Sequence, residues 1–137
     1  MLKLTLAAVA FLLLIAPVST WGDDDNATPP VQTSGNVSYM TGGVGAEERE
    51  ALFAATKDYG LKLVFAAKQQ ADFLADVTVS IAADNGKPMM KATDTGPYLF
   101  VKLPPGKYKI TATSNDQALE KSASVSAGKQ ANAAFYW

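Results

Sequence analysis

Apolar and polar residues alternate along much of the second half of this chain, and a period of two predicts strands. Leu61, Leu63 and Phe65 alternate with Lys62, Val64 and Ala66; Val77, Val79 and Ile81 alternate with Thr78, Ser80 and Ala82. Tyr108, Ile110 and Ala112 alternate with Lys107, Lys109, Thr111 and Thr113. Each run reads as a strand with one core face and one outer face. The strongest signal is Tyr98 to Thr113, where two runs rich in aliphatic, aromatic and β-branched residues flank Leu103-Pro104-Pro105-Gly106. Proline offers no ladder donor and Gly106 is free to take a positive φ, so the pair predicts a β-hairpin. On that hairpin Tyr98, Phe100, Tyr108 and Ile110 are expected in the core. Leu99 and Val101 then point outward and need a cover.

A helix is predicted over Ala46 to Tyr59. Glu47, Glu48 and Glu50 complement its positive start, Lys57 its negative end, and Gly60 supplies a stop. Its narrow apolar stripe of Leu52, Ala55 and Tyr59 is expected to lie on the sheet face carrying Leu99 and Val101; the alternative is that it binds another molecule. Asn85-Gly86 predicts a tight type I′ turn into Pro88 to Thr93, and Pro88 marks that strand as an edge. Asn115-Asp116 leads into Ala118 to Val125, and Ala127-Gly128 into Gln130 to Trp137. The count is about seven strands, as in an Ig-like or prealbumin-like β-sandwich. The terminal Phe135-Tyr136-Trp137 reads as core closure by the last strand.

Upstream, residues 23–45 are rich in Asp, Asn, Thr, Pro, Ser and Gly and read as a flexible linker. Before them, Lys3, the apolar run Leu4 to Ile15, Pro17 and small residues have the layout of a signal peptide over residues 1–22, cut after Gly22. An uncleaved anchor is the alternative; the apolar run falls short of the ~20 residues of a comfortable span. The expected organisation is therefore leader (1–22), linker (23–45) and one domain of helix plus sandwich (46–137), exported to the periplasm or the medium. Of 137 residues, 12 are basic and 13 acidic. That balance gives no broad attraction to nucleic acid or anionic lipid.

The run Gly96-Pro97-Tyr98-Leu99-Phe100, continuing into Leu103-Pro104-Pro105-Gly106-Lys107-Tyr108, resembles the carboxypeptidase regulatory-like domain family over roughly Ala75 to Val125. The resemblance implies a non-catalytic seven-stranded sandwich. Gly42-Gly43-Val44-Gly45, the acidic helix and Leu61 to Ala66 also look like small exported bacterial proteins of this type.

The chain has neither His nor Cys. This removes His-based triads, thiol nucleophiles, disulfides, a lipid-bearing leader cysteine and the usual zinc or copper ligands. Asp23-Asp24-Asp25 reads as a solvated run before it reads as a cation site. Met40, Met89 and Met90 read as core or loop residues before they read as Cu(I) ligands. Ser126-Ala127-Gly128-Lys129 has the S-x-x-K spacing of penicillin-binding enzymes but falls at a turn, without the companion motifs. The glycines before the helix resemble an anion-binding loop, yet the first helical turn is acidic. Asn26 and Asn36 head formal glycosylation sequons. Glu47, Glu48, Asp76, Asp84, Asp94, Asp116 and Glu120 are available as acid and base, and spacing singles out no pair. No catalytic, cofactor or metal residue is therefore assigned. The expected function is a non-catalytic exported module that binds a protein or an envelope polymer through a loop edge or an exposed strand. The alternatives are a small carboxylate-based hydrolase and a soluble subunit of an envelope assembly.

Overall fold

The computed structural model describes residues 28–69 and 73–137. The expected leader and cleavage site (1–22) lie outside the described residues. Within them the chain forms β1 (Gln32–Ser34), β2 (Val37–Gly42), α1 (Ala46–Ala55), β3 (Leu61–Ala66), β4 (Val77–Ala83), β5 (Pro88–Thr95), β6 (Tyr98–Lys102), β7 (Gly106–Ser114), β8 (Gln117–Val125) and β9 (Ala131–Tyr136). These make a five-stranded sheet, β1-β2-β6-β3-β9, and a four-stranded sheet, β5-β4-β7-β8. Between them lies a core that includes Leu61, Leu63 and Phe65 from one sheet and Val77, Val79, Ile81 and Ile110 from the other. The fold is mainly β, a sandwich with one helix.

The expected seven strands become nine among the described residues, because the supposed linker contains β1 and β2. Val37 and Tyr39 enter the inter-sheet core, Met40 points to the opposite face, and β2 pairs along β6 from Ser38 to Gly42. Three apolar residues between glycines are too short a run to register as periodicity. Pairing with β6 is what gives them a strand's hydrogen bonds and burial.

The Tyr98–Thr113 hairpin is also corrected. Strand β6 pairs with β2 and β3, whereas β7 pairs with β4 and β8, so Leu103-Pro104-Pro105 carries the chain from one sheet to the other. Leu103 is buried, the prolines donate nothing to a ladder, and the Tyr108 hydroxyl donates to the Pro104 carbonyl at 2.6 Å, pinning the crossing. Because the two strands are not partners, their faces are set independently. Leu99 and Val101 face the inter-sheet core, and Tyr98 and Phe100 face outward beneath α1. Tyr108 and Ile110 are core residues as expected.

The tight turn expected at Asn85-Gly86 is found instead at Asn115-Asp116. Between β4 and β5 only Gly86 of the Asn85-Gly86 pair has a positive φ (90°), and the Ala83 N–H to Lys87 carbonyl bond closes a longer loop than type I′. The two-residue turn lies between β7 and β8, where Asn115 and Asp116 have φ of 50° and 65° and Ser114 pairs with Gln117. Strand β5 is an edge, as Pro88 suggested. Strand β9 runs parallel to β3 and places Phe135 in the core, 5.9 Å from the ring of Phe65.

Candidate functional site

Each sheet has an outer face, and the two are finished differently. On the five-stranded sheet, Met40, Tyr98 and Phe100 form an apolar patch that α1 covers with Leu52, together with Tyr59 just beyond it. The predicted stripe shifts, since Ala55 is exposed and Phe53 and Thr56 turn inward instead. The helix ends at Ala55, four residues before the expected Tyr59, because the Thr56 hydroxyl donates to the Leu52 carbonyl as the chain leaves the helix. The Phe53 ring stands edge-on to Tyr98 at 5.0 Å and to Phe100 at 5.7 Å. The Lys62 ammonium lies 4.3 Å from the Phe53 ring centre. Further along, the half-exposed Phe73 ring lies tilted against Tyr98 at 5.5 Å, with the Arg49 guanidinium 5.6 Å from its ring. The apolar part of this face, over β2, β6 and β3, is covered by the chain's own residues, while Asn132 and Tyr136 of β9 stay exposed beside it.

The outer face of the four-stranded sheet carries no cover among the described residues. Its cross-strand ranks follow from register: Lys91, Ser80, Thr111 and Glu120 in one, Ala82, Lys109 and Ser122 in the next, then Lys107 beside Ser124. Hydroxyls and a methyl group keep the floor low while the lysines rise from it. Two depressions open on this face, one of about 590 Å³ toward the β4–β5 turn and one of about 510 Å³ toward β5. Ala82 and Lys109 line both, so the two depressions adjoin across these residues and make up the groove of this face. Among the described residues the one ion pair is Lys102 with Asp58, at 3.3 Å on the other sheet. Lys91, Lys107 and Lys109 therefore hold no carboxylate within ion-pair distance. Asp84 lines the groove at the β4–β5 turn.

The residues weighed from sequence do not come together. Met40 is buried under α1, Met90 in the inter-sheet core, and Met89 is half-buried on β5. Ser126 and Lys129 are exposed on the β8–β9 turn, where the Lys129 N–H donates to the Ser126 carbonyl. The glycine loop does bind an anion, but the anion is the chain's own: Glu48 accepts from the N–H groups of Gly43 (2.8 Å) and Val44 (3.1 Å). The carboxylate at the third helical position thus reaches back past the Gly45 N-cap and ties the preceding loop to the helix start. No group of three or more Asp or Glu converges among the described residues. Asn36 is exposed at the β1–β2 turn, while Asn26 and Asp23 to Asp25 lie outside the described residues. Burial pushes the Tyr108 phenol above its ordinary pKa of 10.0. The groove lysines were visible in sequence only as the wet side of a strand; the signal that marks them is a Lys-x-Lys alternation with hydroxyl residues and no acid among them.

No protein-family model matches this chain, and no curated protein matches it. No helix among the described residues is long and apolar enough to cross a membrane.

Proposed function

We propose that this chain is a non-catalytic exported module, periplasmic or secreted, that binds an envelope polymer along the outer face of its four-stranded sheet. The observation that carries this reading is the contrast between the faces: α1 covers the apolar patch of one, and among the described residues the other is left uncovered, with adjoining depressions lined by hydroxyls and by lysines that hold no ion pair. The expected loop edge or exposed strand is a weaker candidate. The β5 edge is partly occupied by β1, since the Lys91 N–H donates to the Ser34 hydroxyl, and the middle of the β8 edge carries Glu120 and Lys121. Charges at such positions discourage strand addition. The finer fold reading is an Ig-like sandwich of the carboxypeptidase regulatory-like kind. It is supported by the Tyr108 to Pro104 bond, which has the form of the tyrosine corner of Ig-like domains.

Cosedimentation of the mature chain with insoluble envelope material, before and after protease treatment of that material, tests the reading. Binding is expected to survive protease. Loss of binding after protease points to a protein partner, and release of soluble polymer fragments points to a hydrolase; either result overturns the proposal.

A further inference from the structure

Resting on the binding reading above, we infer that the polymer is a linear polyanion, specifically a phosphodiester-linked polyol chain, held by Lys107, Lys109 and Lys91. Lys107 and Lys109 lie two residues apart on one face of β7, so their α-carbons are about 7 Å apart along the strand. Lys91 stands two strands away, across Ser80 and Thr111. Lys107 lines the first depression, Lys91 the second and Lys109 both, which gives a negatively charged chain successive points of attachment. Each is an exposed lysine on a flexible stem, suited to a point charge such as a phosphodiester oxygen; the chain's single arginine, Arg49, is on the other sheet's side.

The rest of the face decides between kinds of anion. Pyranose rings are commonly held by stacking on exposed aromatic rings, and the outward residues of β4, β7 and β8 include no aromatic. What they present beside the lysines is Ser80, Thr111, Ser122 and Ser124, hydroxyls able both to donate to phosphate oxygens and to accept from polyol hydroxyls, with Glu120 opposite Thr111 as the one carboxylate of these strands on this face. An open-chain polyol phosphate needs both and needs no stacking platform. Asp84 at the rim opposes such a ligand, which gives the inference a variant of opposite sign.

The test uses the full mature chain and immobilised synthetic poly(glycerol phosphate), with polygalacturonate and neutral dextran as comparators. The Lys107→Gln/Lys109→Gln double variant is expected to weaken binding by roughly tenfold or more, and added salt to weaken the parent chain steeply. Asp84→Asn should tighten binding severalfold, and Lys129→Gln, off this face, should change nothing. Thermal melts matching the parent's show that the variants are folded. Unchanged binding by the double variant, or equal binding to polygalacturonate, overturns the inference. If the chain sediments equally well with envelope material stripped of phosphate, the inference falls and the binding-module reading stands; if it sediments with no envelope material, the reading itself falls.

Discussion

The two outer faces of this sandwich solve opposite problems. Beneath α1, Tyr98 and Phe100 alternate on β6 with core residues Leu99 and Val101, so that strand is apolar on both sides. Such a strand folds only if something covers its second face, and Leu52, with no exposed surface, supplies the cover. On the four-stranded sheet the outward positions are mostly Thr, Ser, Ala and Lys, with Glu120 and Pro88, and water suffices as their partner. A helix on the first face is thus a requirement of folding. The second face, bare among the described residues, needs no such cover to fold.

Breaking the covered face should have the largest consequence. Leu52→Asp places an unpaired carboxylate in a dry cluster and is expected to cost about 3–5 kcal/mol, lifting α1 from the sheet. Denaturant melts measure the loss, and binding of a hydrophobic dye should rise as Tyr98 and Phe100 are exposed. A midpoint equal to the parent's would mean that α1 does not hold this face closed.

Gly43→Ala probes the same cover at its hinge. Gly43 has φ of 95°, and a Cβ there would lie 2.6 Å from the Tyr98 ring. Strained backbone and displaced ring together should cost about 1–3 kcal/mol. Gly86→Ala is the sharpening control: its φ is also positive, at 90°, but no atom lies within 4 Å of the added carbon. The difference between the two variants reads the crowding under the helix apart from the backbone term.

A smaller effect is expected where the chain crosses between the sheets. Tyr108→Phe removes the bond to the Pro104 carbonyl and should cost about 1 kcal/mol. Its pH dependence has a defined sign. The folded phenol titrates above its unfolded value of 10.0, so its contribution is intact below that pH and is lost as pH rises through the folded value. Urea midpoints followed into the alkaline range should fall more steeply for the parent than for Tyr108→Phe.

Strand identity was largely legible from residue order. The period-two runs at Leu61–Ala66, Val77–Ala83 and Gly106–Ser114 became β3, β4 and β7, and the need for Pro88 to sit at an edge follows from its missing N–H. That a helix would shield an apolar outer face was legible as well, because both patches were written in the chain.

Which face it would shield was not. Alternation fixes only which residues of one strand share a side; it does not say which side of β6 meets the other sheet. Reading Leu103-Pro104-Pro105-Gly106 as a hairpin transferred the parity of β7 to β6, whereas the crossing between sheets made the two independent. For the same reason β2 was invisible in a polar, glycine-bounded stretch until β6 stood beside it to accept and donate its hydrogen bonds. The groove depends on four strands from distant parts of the chain, and only register brings Lys91 of β5 onto one surface with Lys107 and Lys109 of β7. Local order determined seven of the nine described strands, where the chain turns between most of them, and the existence of an outer patch that needed cover. Pairing between distant segments, whose hydrogen bonds and burial exist only in the folded chain, decided which face was sealed and which was left open.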